Sequence, residues 1–275
     1  MIARLIICYS VLLLAFDSVA QTIKVMTYNI RYDNPGDGPN AWSNRKQKVF
    51  AIIQGEDPDI LGVQEALHHQ VKDITNARNN TQFVGVGRDD GRISGEFSPI
   101  IFKKERFDLQ EHGTFWLSDT PDIAGSIGWD AQITRIATWA LLIDKETARK
   151  LLVVNTHFDH VGEKARQKSA ELLKEKIVEL DFEVPVIITG DFNFTRDENP
   201  YYLMTDGATV ELIDPAPEVK GTYCTFEVAN ECKAIDYIFI TNEWNADGYT
   251  VIEDNDGTYY PSDHLPVVIN LSLME

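Results

Sequence analysis

Short apolar runs, separated by polar stretches that contain glycine or proline, recur along the chain and predict a strand-rich protein. In the N-terminal half, strands are predicted at 23–30, 58–65, 81–87, 97–102 and 107–117. In the C-terminal half, they are predicted at 135–143, 150–158, 184–192, 235–241 and 264–273. Several of these runs are apolar at nearly every position, which is typical of strands that are buried on both faces.

Three segments between the strands show the spacing of amphipathic helices, namely 42–54, 67–77 and 164–180. A loop is predicted at 33–40, where two prolines and two glycines interrupt the pattern. Strands interspersed with helices favour an α/β or α+β protein, in which packed sheets are covered by helices. Because no break in composition divides the chain, we expect residues 21–275 to form one domain.

The first twenty residues have the features of a signal peptide. Arg4 precedes an apolar run from Leu5 to Phe16, and Ser18 to Ala20 form a small-x-small cleavage site. We therefore expect residues 1–20 to be removed near Ala20 and the mature protein to be secreted or periplasmic. The run is too short for a typical transmembrane helix, so no membrane anchor is expected, and we expect a monomer.

The sequence is strongly acidic, with a formal net charge of −18 at pH 7. Such a charge repels polyanions and attracts cations. Solubility in an extracellular setting is the simplest explanation, and the same charge disfavours tight binding of nucleic acid.

Two cysteines, Cys224 and Cys232, remain after the predicted cleavage. They could face each other across a hairpin that turns near Ala229 and Asn230 and form a disulfide, which an exported compartment permits. The alternative is a pair of buried free thiols, and the spacing alone does not decide between the two.

Polar residues stand at the ends of the predicted strands. They are Asn29, Glu65, His157, Asp191, Asn193, Asp236, Asp263 and His264. Each alone is typical of a turn or cap residue. Together they suggest a site, because carboxylate and amide oxygens suit Mg²⁺ or Ca²⁺ and histidines suit phosphate contact and proton transfer.

The pair Asp191 and Asn193 is the clearest example. Both follow a buried apolar run and are separated by one phenylalanine, so strand alternation predicts that they face the same side. Zinc-type Cys/His spacing, a glycine-rich phosphate loop and the GxSxG motif are all absent from the sequence. These absences disfavour a zinc site, a P-loop nucleotidase and a serine hydrolase.

The motifs around these residues resemble, in their order along the chain, those of the endonuclease/exonuclease/phosphatase superfamily. They are "MTYNI", "DILGVQE", "GEFSPIIF", "NTHFDH", "TGDFN", "IDYIF" and "SDHLPV", and they extend over about residues 24–271. The resemblance implies the DNase I-like fold, a four-layer αββα sandwich of two packed mixed sheets flanked by helices. Residues 114–142 further resemble a bacterial exported subgroup of this superfamily.

The resemblance also implies a role for each polar residue. Glu65, helped by Asn29 and Asp263, would bind a divalent cation, Mg²⁺ first and Mn²⁺ or Ca²⁺ as alternatives. Asp191 would orient or deprotonate the attacking water, and Asn193 would donate its amide to a phosphate oxygen.

The remaining roles concern the phosphate. His264, oriented by Asp236, would contact it, and His157, oriented by Glu96, would lie on its other side. Arg135 would either reach the phosphate or form a surface ion pair.

Three functions follow from this interpretation. The leading one is a secreted, Mg²⁺-dependent phosphoesterase that hydrolyses a phosphodiester or a phosphomonoester by attack of water activated by Asp191. A secreted DNA or RNA endonuclease or exonuclease is the alternative within the same class. A non-catalytic binding module on the same fold is the alternative of another class, and the intact set of polar residues argues against it.

Overall fold

The computed structural model describes residues 21–228 and 231–274. The predicted signal peptide and the predicted Ala229-Asn230 turn lie outside these residues. Within the described part of the chain, no helix combines the length and the apolar character that crossing a membrane requires.

The described residues form two β-sheets and four α-helices. The first sheet contains β1 (Ile23–Asn29), β2 (Ile60–Gln64), β3 (Thr81–Val84), β4 (Ile100–Lys103), β10 (Trp244–Val251) and β11 (Val267–Leu273). The second contains β5 (Phe107–Trp116), β6 (Ile136–Asp144), β7 (Lys150–His157), β8 (Val186–Asp191) and β9 (Asp236–Ile240). The helices are α1 (Trp42–Glu56), α2 (His68–Ala77), α3 (Glu163–Glu179) and α4 (Asn199–Thr205).

Both sheets are mixed. The first has the strand order β10-β11-β1-β2-β4-β3 and the second has the order β5-β6-β7-β8-β9. Only β1–β2 and β7–β8 run parallel among the described pairs, and the others are antiparallel. Each parallel pair lies near the middle of its sheet. Because the two strands of a pair run in the same direction, their carboxyl ends lie at the same edge of the sheet.

The sheets pack face to face, and helices cover their outer faces. Alternate residues of one strand therefore enter different apolar layers: Val25 packs between the sheets, whereas Met26 packs under α1 and α2. In the second sheet, Ile187 faces the first sheet and Ile188 packs against the layer that includes α3. Burial on both faces explains the continuous apolar runs, and the predicted four-layer sandwich is confirmed.

Three elements differ from the prediction. A 3₁₀ helix occupies Pro35–Asn40 within the predicted loop, and α4 and β10 lie where no element was predicted. Strand β10 is an edge strand whose middle residues are mostly exposed, so it lacks an apolar pattern. Helix α4 is only seven residues long and carries Pro200 in its first turn, which leaves too few positions for helical periodicity.

Cys224 and Cys232 form a disulfide, with a Cα–Cα distance of 4.4 Å. The backbone of Tyr223 pairs with that of Lys233 in antiparallel fashion, so the two strands of the predicted hairpin run side by side here. Tyr223 also pairs with His264, which ties this cross-linked segment to the residues at the start of the last strand.

Candidate active site

The strand register gathers the predicted site residues at one edge of the sandwich. In the first sheet, Asn29 at the end of β1 pairs with Gln64, the residue before Glu65. In the second sheet, Asp191 pairs with His157 on one side and with Asp236 on the other. Because the two sheets are packed together, the two sets of strand ends meet.

Glu65 and Asn193 leave their strands in an unusual backbone conformation. Their φ angles are 63° and 52°, in the left-handed region that non-glycine residues seldom adopt. Both residues line the same cleft. A strained backbone of this kind is typical of functional positions, where surrounding structure holds a side chain in a fixed direction.

Asp191 lies at the centre of the site. Its Oδ2 accepts a hydrogen bond from the Asn29 amide at 2.9 Å, and its Oδ1 accepts one from the backbone N–H of Asn193 at 3.0 Å. Burial raises the pKa of the Asp191 carboxyl to about 7, although the nearby His264 opposes the shift. In the metal-free protein, this carboxyl therefore exchanges a proton near neutral pH.

His264 is held by a buried carboxylate. Its Nδ1 lies 2.8 Å from Oδ2 of Asp236. Burial disfavours the charged imidazole, but Asp236 and Asp191 more than offset it and raise the pKa of His264 well above the usual histidine range. These carboxylates therefore favour the imidazolium form, which donates hydrogen bonds and suits contact with phosphate oxygens.

His157 has the opposite electrostatic environment. Burial, together with the nearby Arg135 and Arg88, lowers the pKa of His157 well below its usual value. The neutral ring accepts a hydrogen bond at Nε2 from the Asn193 amide at 3.1 Å, and the same amide nitrogen donates to the Phe158 carbonyl at 3.0 Å. Asn193 thus positions His157, and its donation to a phosphate oxygen stays a prediction.

The predicted metal residues come together only in part. The Asn29 amide nitrogen donates to Oε1 of Glu65 at 3.1 Å, and the Asn29 oxygen accepts from the backbone of Arg31. Asn29 therefore orients the carboxylates, and its role in binding a cation stays a prediction. The Arg31 guanidinium lies 3.9 Å from both Glu65 and Asp263 and partly neutralises them.

The donor set nevertheless fits a hard cation. Glu65, Asp191 and His264 each offer one atom, and these atoms all lie within 4.8 Å of one another. The carboxylate oxygens of this set are the donors that would suit a hard cation. Asp263 lines the same cleft. One or two carboxylates are what Mg²⁺ usually takes from a protein, together with several waters.

Glu96 differs from the prediction. Its two carboxylate oxygens accept hydrogen bonds from the Arg88 guanidinium at 2.6 and 2.8 Å, so among the described residues its partner is Arg88 and not His157. Glu96 and His157 still line one small cavity. Burial raises the pKa of Glu96 to about 7, against the effect of Arg88.

Arg135 is buried at the site and is not a surface residue. Its side chain is only 4% exposed, and its Nε lies 3.7 Å from the Asp159 carboxylate. Its Nη2 lies 3.0 Å from Nδ1 of His160. Arg135 therefore lines the cleft and does not form a surface ion pair, and its contact with the phosphate stays a prediction.

Except for Asn29 and Asp236, the predicted site residues line a cleft of about 530 Å³. Its wall also contains residues that the sequence analysis did not select, namely Arg31, Tyr32, Arg88, Ile133, His160, Tyr223 and Ile235. Most of them lie in loops, where no predicted strand ends in a polar residue that would mark them. Arg31 was detectable in principle, because it follows Asn29 by two residues, and His160 follows His157 by three.

Comparison with known proteins agrees with this arrangement. The sequence profile of the Endonuclease/Exonuclease/phosphatase family matches residues 26–264. In sequence, the chain is 28% identical over 252 residues to protein L388 of Acanthamoeba polyphaga mimivirus, a match that covers 83% of this chain and 91% of that protein.

Two solved structures are similar over nearly their whole length. An endonuclease/exonuclease/phosphatase from Bacteroides vulgatus is 39% identical with a TM-score of 0.85, covering 92% of this chain and 100% of that one. A mannosyl-6-phosphatase from Bacteroides thetaiotaomicron is 35% identical with a TM-score of 0.86, covering 91% and 100%. The fold is therefore the one found in these two structures.

Proposed function

The chain belongs to the endonuclease/exonuclease/phosphatase family and is a phosphoester hydrolase, and we propose that it is an exported enzyme that requires Mg²⁺ and uses Asp191 as the base. The observation that carries this proposal is the cluster of Glu65, Asp191 and His264. These two carboxylates and the histidine lie beside the cleft of about 530 Å³, which is large enough for a phosphate group. The export rests on the signal-peptide features of residues 1–20.

Asp191 is suited to activate water. Its carboxylate is fixed by the Asn29 amide and by the backbone of Asn193, and burial brings its pKa to about 7, near the pH at which a general base is most effective. Asp191 takes one proton from the water as the water oxygen bonds to phosphorus. The ester P–O bond then breaks, and the leaving oxygen takes up a proton to give the alcohol.

His264 and Asp236 stabilise the negative charge of the reacting phosphate. The Asp236 carboxylate holds the ring at Nδ1 and favours its charged form, so Nε2 presents an N–H towards the cleft. A fixed cationic donor in a buried site contributes more than the same donor in water, because it needs no reorganisation.

The metal site would be formed by Glu65, with Asp263 beside it, which leaves Asp191 to act as the base. A bound Mg²⁺ supplies Lewis-acid charge that polarises the phosphoryl oxygens and orients the ester. Arg31 neutralises Glu65 and Asp263 in the metal-free protein, which limits the repulsion between these carboxylates.

A panel of phosphomonoesters and phosphodiesters, tested on the purified mature protein, checks this proposal. We expect hydrolysis with Mg²⁺ and its loss in EDTA, with recovery when Mg²⁺ is added back. An absence of hydrolysis across the panel with Mg²⁺, Mn²⁺ and Ca²⁺ would leave the non-catalytic binding module as the better description.

A further inference from the structure

A three-residue segment, 222–224, runs beside His264. The backbone N–H of Cys224, its last residue, donates to the Asp263 carbonyl at 2.8 Å. The carbonyl of its first residue accepts a hydrogen bond from the backbone N–H of Leu265 at 2.6 Å. The two bonds lie on either side of His264 along the chain, so this segment fixes the backbone that carries the imidazole.

The same segment also holds the carboxylate partner of His264. The hydroxyl of Thr222, which is fully buried, accepts hydrogen bonds from the backbone N–H groups of Ile235 and Asp236, both at 3.2 Å. Asp236 begins β9 in one sheet, and His264 precedes β11 in the other. The segment therefore bridges the two sheets at the point where the His264–Asp236 pair joins them.

The side chain of Tyr223, in the middle of the segment, lies against the imidazole of His264. The two ring centroids are 4.9 Å apart, with an interplanar angle of 50°, and Tyr223 lines the cleft. Because a hydrogen bond tolerates a range of angles, the contact of Nδ1 with Asp236 alone lets the imidazole rock. The tyrosine ring restricts this motion and keeps Nε2 beside Asp191, 3.6 Å from its Oδ2.

The backbone of Tyr223 is itself held on its far side. Its N–H and its carbonyl exchange hydrogen bonds with the backbone of Lys233, at 2.9 and 3.0 Å. The next residue, Cys224, forms the disulfide with Cys232 and closes the loop between them. The cross-link and the backbone pairing together prevent the segment from moving away from His264.

We propose that Tyr223 is a positioning residue, whose ring fixes the plane of the His264 imidazole for its contact with the phosphate. This inference rests on the proposed phosphoester hydrolysis and adds a residue that acts through His264. A shift of about 1 Å in a positioned group can lower turnover by about 100-fold. Loss of the Tyr223 ring therefore lowers kcat, whereas KM changes little, because the ring is not required to hold the substrate.

Two substitutions test the inference with p-nitrophenyl phosphate and bis(p-nitrophenyl) phosphate as substrates, in the presence of Mg²⁺. We expect Tyr223→Leu to lower kcat by about 10- to 100-fold for each folded molecule, with a change in KM of less than about threefold. Tyr223→Phe keeps the ring and retains kcat within about threefold of the wild type. Tyr259→Leu is the matched control and leaves kcat unchanged. Tyr259 is also half-buried and pairs with Glu227 in the disulfide-closed loop, but it is not part of the cleft wall.

An unchanged kcat in Tyr223→Leu would overturn the inference, and a raised KM with normal kcat would make Tyr223 a substrate contact instead. Equal losses of kcat in Tyr223→Leu and Tyr223→Phe would also contradict it, because the ring would then not be the group that matters. In each case phosphoester hydrolysis by the wild type would still stand. Failure of the wild type to hydrolyse either ester would instead refute the proposed function, and with it this inference.

Cys232→Ser decides if Tyr223→Leu does not fold. This substitution opens the loop that holds Tyr223 and leaves the side chains of the cleft wall unchanged. A lower kcat with an unchanged KM, measured on the folded variant, supports the positioning role, and an unchanged kcat contradicts it.

Discussion

Nδ1 of His264 and Oδ2 of Asp236 are 2.8 Å apart, and both side chains are buried. Asp236 is the first residue of β9, whereas His264 precedes β11 in the other sheet. This contact therefore joins the two sheets at the site edge and sets the charge of the ring.

The first prediction concerns this pair. Asp236→Asn removes the charge that favours the imidazolium, so we expect kcat to fall by about 10- to 100-fold, while KM changes less. Asp144→Asn is the control. Asp144 is also buried, but it is the last residue of β6, whereas the site lies near the first residue of that strand. An unchanged kcat for Asp236→Asn, with normal folding, would remove the pair from the mechanism.

The second prediction concerns the metal. Glu65→Gln keeps the shape of the side chain but removes the charge that faces the cation, so we expect weaker Mg²⁺ binding and the loss of Mg²⁺-dependent turnover. Calorimetry on the two proteins measures the affinity directly. The exposed Glu105→Gln serves as the control, and an unaltered Mg²⁺ affinity in Glu65→Gln is incompatible with the assignment.

The third prediction concerns the disulfide. Replacement of Cys224 and Cys232 by serine opens a small loop and should lower the free energy of unfolding by about 2–3 kcal/mol. Denaturant titration of the two proteins measures the loss. Mass spectrometry of the unreduced mature protein provides the companion check: two thiols that react with an alkylating agent would show that no bridge forms.

The fourth prediction concerns the net charge of −18. Long polyanions are repelled at low salt, so we expect kcat/KM for a small phosphoester to exceed that for duplex DNA. Added salt should narrow the difference by screening the repulsion. Efficient degradation of plasmid DNA at low enzyme concentration and low salt would favour the nuclease alternative.

The apolar pattern predicted most strands because the sandwich buries both faces of its central strands, whereas the four-layer arrangement was implied by the family resemblance. Continuous apolar runs such as 184–188 follow directly from that burial, whereas the edge strand β10 leaves no such pattern. The polar strand ends were equally visible, since Asp191 and Glu65 interrupt apolar segments abruptly.

The loop residues were harder to predict, for a physical reason. Arg88 comes from the segment after β3 and Arg135 from the residue before β6, and only the folded backbone brings them to one wall of the cleft. A lone arginine in a loop looks like a solvated charge. The sequence also could not identify the partner of Glu96, because Arg88 and His157 line one small cavity with it.

The most direct test of the central claim is turnover of Asp191→Asn, measured together with its thermal midpoint. If Asp191 takes the proton from water, the amide cannot replace it, and we expect kcat to fall by about 10²- to 10⁴-fold. Removal of a buried negative charge should leave the thermal midpoint nearly unchanged or raise it in the metal-free protein. A clear fall in the thermal midpoint, with near-normal turnover for each folded molecule, would show that Asp191 is only structural and would contradict the mechanism.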